Sequence, residues 1–283
     1  MEPSTDRTID LDGFNTIVRG RDATYMALKT DIYVGQSLIR YGEYCEAEIE
    51  LLKQLTQPGD HVAEIGSNLG AHGVRLAKHI GPSGRLVAVE PQPVIFQAMA
   101  ATMSLNSLSN VDCWPYALSS EPGILALPPF DYSKDQNFGG ISMIDLPDGK
   151  LPVPVHRFDD IYFYNQLNLM KIDVEGMELD VLKGAANCIE KYRPRIYLEN
   201  DREESSPALI QWLFDAGYKL WWHMPPLYNP VNYFKNPDNM FGNVVSINMV
   251  AIHSSTPTNT GLEPVTSVDG FPRVTQSAKP KIS

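Results

Sequence analysis

Cysteine is scarce in this sequence, and the three present, Cys45, Cys113 and Cys188, are scattered. Odd in number and without a C-x-x-C spacing, they make neither a disulfide framework nor a zinc site, and they fit a reducing, cytoplasmic compartment. Long apolar runs are missing, so no segment reads as a membrane-spanning helix. There is no block of Lys and Arg, and the formal net charge is −11. Tracking a phosphate backbone needs a basic face, so a large nucleic-acid footprint is not expected. The first residues, Met1 to Gly13, are polar and acidic, unlike a secretory leader. Internal repeats are absent. What remains is an acidic chain of 283 residues with 43% hydrophobic content, ample for one large core or two smaller ones.

Chemistry concentrates between Val62 and Glu90, VAEIGSNLGAHGVRLAKHIGPSGRLVAVE. An apolar run, His61 to Ile65, ends in Gly66-Ser67-Asn68-Leu69-Gly70. A helical pattern follows with Val74, Leu76, Ala77 and Ile80 as its apolar positions, and Gly81-Pro82-Ser83-Gly84 stops it. A second β-rich run, Leu86 to Val89, ends on Glu90. Strand, glycine turn, helix and strand make a right-handed βαβ unit, with a ligand crevice at the carboxyl ends of its strands. A dinucleotide site needs G-x-G-x-x-G, whose second glycine lets a pyrophosphate approach the backbone. Here the pattern is E-x-G-x-x-x-G, with Asn68 at the second-glycine position. That suits a smaller ligand carrying an amine and a carboxylate. Amides at the turn and helix start can receive the carboxylate. Glu64 can sit near the cationic portion, and Glu90 can take a ribose diol. This combination describes S-adenosylmethionine. A turn that merely lets a helix pack on a strand is the plainer alternative, weakened by the acid ending each strand.

Residues 1–58 form a lead-in, with an extended segment or hairpin from Ile17 and a helical stretch over Ser37 to Leu55. Glutamates 43, 46, 48 and 50 there make a solvated face, or one of them approaches the cofactor. Pro91-Gln92-Pro93 starts a helix that runs to Leu108. The third strand runs from Asn110-Val111 to Ala117-Leu118, with Asp112, Ala117 and Ser119 as candidates to touch an adenine or simply to pack. Residues 121–167 form an insert of short β-like pieces, ILAL, ISMI and VPVHRF, broken by prolines. Within it, Asn137-Phe138-Gly139-Gly140-Ile141-Ser142 is either a close approach to a ligand or a hairpin turn.

A second chemical stretch, LMKIDVEGME, places Asp173 at the carboxyl end of the fourth strand, on the same edge as Gly66 and Glu90. An unpaired acid there calls for a ligand, metal or cation partner. Glu175 reads as a local cap or ion pair. The fifth strand, Arg195 to Leu198, ends in Glu199-Asn200-Asp201. Neighbouring strands lie about 4.8 Å apart, so Asp173, Glu199 and Asn200 can converge as oxygen ligands for magnesium. The alternative is direct contact with an acceptor. Tyr218 to Met224 and Val245 to Ile252 are the last strands, joined by a long aromatic and proline-rich loop. Residues 254–283 read as a flexible tail.

EIGSNLGAHG, VEP, NFGGIS, KIDVEGMELDVLKGA with RPRIYLE, SINMVAI and the earlier YGEYCEAE together resemble the FkbM-family methyltransferases over about residues 17 to 252. The resemblance implies an α/β, Rossmann-like class I methyltransferase, with a seven-stranded, mostly parallel sheet and helices on both faces, over residues 59–253. It implies S-adenosylmethionine as donor and O-methylation of a sugar, polyketide or related small-molecule or glycan acceptor. Carried over by position, Glu64, Gly66, Asn68, Gly70 and Glu90 are then cofactor residues and Asp173 lies in the active site; Ser67, Pro91, Ala117 and Asp173 are added to the cofactor candidates from their places at the strand ends. Glu64 stands where Asp is commoner. Asp173 and His223 are the catalytic candidates, with His72 and Glu175 behind them. An NAD-dependent oxidoreductase and a non-catalytic binding module of the same fold are the rival readings, and a homo-oligomer is left open.

Overall fold

The computed structural model describes residues 7–140 and 149–273. A small antiparallel meander comes first: β1 (Thr8–Asp10), β2 (Asn15–Arg19) and β3 (Thr24–Leu28). The stretch expected as one helix over Ser37 to Leu55 is two, α1 (Val34–Tyr41) and α2 (Glu46–Gln54). Gly42 closes α1 in the left-handed region at φ 72°, and Cys45 repeats that reversal at φ 41°. The βαβ unit follows as β4 (His61–Ile65), α3 (Gly73–Ile80) and β5 (Arg85–Val89). Next come α4 (Pro93–Leu105), β6 (Val111–Trp114), β7 (Ala117–Leu118), β8 (Gly123–Leu127), β9 (Leu151–His156) and α5 (Phe158–Ile161). The remainder is β10 (Leu169–Ile172), α6 (Glu178–Gly184), α7 (Ala186–Tyr192), β11 (Arg195–Glu199), α8 (Ser206–Asp215), β12 (Tyr218–His223), β13 (Asn248–His253) and β14 (Glu263–Val265).

The main sheet has the order β14-β12-β13-β11-β10-β4-β5-β6. From β6 to β11 the ladder is parallel, and β13 enters antiparallel between β11 and β12. The expected seven strands are all present. An eighth, β14, pairs with β12 at the edge, with Val265 buried and Phe271 against Trp222. This part of the expected tail is therefore packed; residues 274–283 lie outside the described residues. A second correction concerns Ala117-Leu118. The third strand stops at Trp114, because Pro115 has no N–H to continue the ladder. Residues 117–118 instead join β9 and β8 in a separate three-stranded sheet. Two of the three β-like pieces of the insert, ILAL and VPVHRF, are β8 and β9, whereas ISMI lies outside the described residues.

Alternation along the strands sorts the core into two layers. Val62, Leu86, Leu169 and Val250 face α1 to α4, whereas Ala63, Val87, Met170 and Met249 face α5 to α8. The first face contains polar residues where the pattern asks for apolar ones. Glu64 pairs in register with Lys171, and Lys171 with Tyr197, so a carboxylate, an ammonium and a phenol stand side by side across three buried strands. Burying such groups is costly unless they are paired or serve a ligand. Among the described residues no helix is long and apolar enough to cross a membrane.

Candidate active site

A cavity of about 440 Å³ opens over that polar row, at the carboxyl ends of β4, β5, β10 and β11. Its first wall is the turn after β4. Gly66 has φ 85°, and a Cβ there would fall 1.8 Å from the carbonyl oxygen of Asp173, so only glycine lets the two strand ends approach. Asn68 is also left-handed, at φ 48°. The turn uses up its own amides: Gly66 and Ser67 donate to the Val89 carbonyl, Asn68 to Glu90, Leu69 to the Asn68 side chain and Gly70 to Ser67. The amides at Gly66–Gly70 are thus not free to receive a carboxylate, contrary to expectation. The next amides, of Ala71 and His72 on the cavity wall, have no acceptor among the described residues.

Glu90 is 4% exposed, and both its oxygens accept backbone N–H bonds, from Asn68 at 3.0 Å and Gln92 at 2.9 Å. Glu64 is 1% exposed, and its Oε2 has no partner among the described residues. Gln92 donates to the Phe138 carbonyl at 2.7 Å and leaves its own Oε1 unpartnered. Burial pushes both Glu64 and Glu90 up to about 7. Two buried acceptors without donors, beside a carboxylate at the second strand end, fit a ligand that brings N–H and O–H groups.

The opposite wall holds the acids. Lys171 Nζ lies 2.9 Å from Asp173 Oδ2 and 3.6 Å from Glu48 Oε1. Burial opposes the Lys171 charge, but Asp173 and Glu48 outweigh it and hold the ammonium firmly protonated. His72 donates from Nε2 to the Tyr44 carbonyl at 3.2 Å, and its Nδ1 faces Glu48 at 3.4 Å. Burial pushes His72 down to about 3 and Glu48 up, so the imidazole is neutral. Carboxylate oxygens of Asp173, Glu175 and Glu199 lie within 4.8 Å of one another. Burial, then the neighbouring Asp173 and Glu175 carboxylates, drives Glu199 far above the usual carboxylate range, and its Oε2 is buried without a partner. Glu175 pairs with Arg202 at 3.0 Å, the local ion pair expected of it.

Of the expected cofactor residues, Glu64, Gly66, Ser67, Asn68, Glu90, Pro91, Ala117 and Asp173 line the cavity. Gly70 does not: it sits behind the turn, where a Cβ would press on Met103 and Met99 of α4. His223 is also off the wall, with its Nδ1 bonded to the Tyr197 hydroxyl at 2.8 Å. Asn200 does not converge with Asp173 and Glu199. It is buried, and its amide donates to Ser206 Oγ and Met249 Sδ, so Glu175 takes its place in the oxygen cluster. Wall residues that were not expected include Lys171, Tyr44, Gln92 and Tyr116. Lysine inside the apolar run LMKI was the one legible signal. Among the four lead-in glutamates only Glu48 reaches the cavity; Glu43 and Glu46 are tied to Arg21 and Arg75.

This sheet order, with a ligand cavity at the strand ends beside a glycine turn, defines a Rossmann-like class I methyltransferase fold. The family model described as the methyltransferase FkbM domain matches residues 62–220, more than half of the chain. The chain belongs to that family. It is 27% identical over 163 residues to the methyltransferase sdnD of Sordaria araneosa, covering 44% of this chain and 59% of that protein. It is 27% identical over 145 residues to the hexuronic acid methyltransferase AglP of Haloferax volcanii, covering 50% and 56%. The chain thus spans little more than half the length of these relatives. A crystal structure of an FkbM methyltransferase from Methylobacillus flagellatus superposes with a TM-score of 0.47 at 16% identity, covering 78% of this chain and 55% of that one.

Proposed function

We propose that the chain transfers a methyl group from S-adenosylmethionine to a hydroxyl of a small-molecule or glycan acceptor, such as a sugar or polyketide. The observation that carries this is the pairing, in one cavity, of an unpartnered Glu64 oxygen beside Glu90 with the half-open Asp173 carboxylate opposite. Residues 59–253 then form the catalytic domain, and residues 1–58 and 121–167 contribute walls to it. When bound, the donor supplies a methyl already activated on a sulfonium. Glu64 accepts from the donor's ammonium, and Glu90 keeps lone pairs for the ribose hydroxyls beyond its two amide bonds. Asp173 holds the acceptor in line with Oδ1, since Lys171 occupies Oδ2. Asp173 would take the proton that the acceptor hydroxyl gives up on methylation. His223 supports the site from behind, through Tyr197.

A divalent cation is the finer part of this reading. Asp173, Glu175 and Glu199 offer hard oxygen ligands suited to magnesium, which would lower the acceptor's pKa and orient it. The unpaired cysteines agree with a cytoplasmic setting. An oxidoreductase is disfavoured because Asn68, rather than glycine, fills the turn and abuts Gly139. Titration calorimetry with S-adenosylmethionine, its demethylated product and NADH is the test, run in chelator and in magnesium. Binding of both sulfur ligands without NADH is expected. NADH binding alone would overturn the assignment.

A further inference from the structure

Strand order divides the cavity. The turn and Glu90 lie over β4 and β5, so the acceptor side lies over β10 and β11 and under the loop between β12 and β13. That side has two characters. One wall is apolar: Val34, Leu227, Val244, Val245 and Ile247. The other carries four carboxylates, Asp173, Glu175, Glu199 and Asp201. Lys171 and Arg202 compensate only two of them, one on Asp173 and one on Glu175. Lys171 is the only lysine or arginine on the wall among the described residues, and both its contacts are carboxylates. Asn243 and Ser246 are the neutral polar groups there.

We propose, building on the methyltransferase reading above, that this cavity takes an acceptor without negative charge and with an apolar flank, and rejects uronate and phosphate-bearing acceptors. An anion placed over β10 and β11 would meet a cluster of four carboxyl groups in a partly desolvated space, where Lys171, the one lysine or arginine on the described wall, is already held by two carboxylates. Like charges so placed discriminate strongly against the wrong partner. A neutral polyol meets the same acids favourably, because each hydroxyl donates to a carboxyl oxygen such as the unpartnered Glu199 Oε2. The aliphatic wall adds a preference for a hydrocarbon or deoxygenated face.

The test compares octyl β-glucoside with octyl β-glucuronide, which share the flank and differ in the charged group. Saturation-transfer NMR reports their binding to the protein loaded with S-adenosylhomocysteine, and tritium transfer from S-adenosylmethionine reports turnover. Both are run in chelator and in magnesium. The glucoside is expected to be favoured at least 100-fold, and methyl glucoside to bind at least tenfold more weakly than the octyl compound. Asp201→Asn, which removes a wall carboxylate but keeps the shape, is expected to narrow the preference at least fivefold. Equal or better use of the glucuronide, in either medium, would overturn the proposal, as would binding of neither glycoside. Calorimetry with S-adenosylmethionine on the same samples separates this failure from failure of the donor assignment.

Discussion

Replacing Glu90 by alanine disturbs two things at once, and their pH dependence separates them. The carboxylate accepts buried amides from Asn68 and Gln92, so truncation orphans both. At about 1–2 kcal/mol each, the apo protein should lose about 2–4 kcal/mol. An opposing effect grows with pH. Burial lifts Glu90 to about 7, from the ordinary 4.5 of a glutamate in water. A carboxyl whose folded pKa is raised binds its proton more tightly in the folded state. Its contribution is therefore greatest below the unfolded value and declines as pH rises from 4.5 to 7. By linkage that decline amounts to about 3 kcal/mol. The variant lacks it, so its deficit should be about 2–4 kcal/mol at pH 5 and close to zero at pH 8. Glu64 titrates in both proteins and cancels. Urea denaturation of the two proteins at both pH values measures this directly. Affinity for S-adenosylmethionine should fall about 10- to 100-fold at pH 8, the worth of a diol bonded to a carboxylate. A deficit that is the same at both pH values would refute the buried-acid argument. Unchanged affinity would remove Glu90 from the cofactor site.

Gly66→Ala should destabilise the fold by about 4 kcal/mol or more, because a Cβ at φ 85° would overlap the Asp173 carbonyl; thermal melting should show a drop of roughly 10 °C, and an unchanged midpoint would mean the strand ends are not so close. Asp173→Asn should leave donor affinity within about threefold and lower turnover of whichever glycoside is used about 100-fold or more, as expected for loss of a general base; parallel loss of both would assign Asp173 to the donor instead.

Much of the fold was legible because periodicity and punctuation agreed. The glycine turn, the acids ending β4 and β5, and the KIDVEG break all fell at strand ends. The errors have physical causes. Cys45 adopts a left-handed conformation that nothing in its residue type announces, so one expected helix is two. Pro115 ends the third strand, and the pair after it changes sheet. Asn200 looked like a ligand because it follows Glu199, but adjacent residues at a strand end point to opposite sides, and its amide turns into the core. His223 was tempting for its position beside the aromatic loop, yet a phenol across the sheet holds it. The polar row of Glu64, Lys171 and Tyr197 needs strand pairing to be seen, since its members are more than a hundred residues apart at one end of the row.

The boundaries of the family match bear on what its name can tell. Residues 62–220 carry the turn, Glu90, Lys171, Asp173 and Glu199, which is the donor side and the acids. Tyr33, Val34, Tyr44 and Glu48 come before that segment, and Leu227 and Asn243 to Ile247 come after it. These flanking pieces are bound to each other rather than hung separately on the sheet. Glu43 accepts from Arg21, Asn229 and the Tyr233 amide, and the Tyr41 hydroxyl donates to the Asp238 carbonyl and accepts from the Met240 amide. Tyr41, Cys45, Leu227 and Phe241 form a hydrophobic cluster of their own. The side of the cavity proposed for the acceptor is thus walled by a clamp of lead-in and late loop over the sheet edge, with its own polar and apolar supports. On the reading proposed above, this clamp sets the apolar flank offered to an acceptor, and the acids beneath it set the charge that acceptor can carry. That is why shared family membership speaks for the donor chemistry, and why the acceptor has to be argued from the charge and shape of these particular walls.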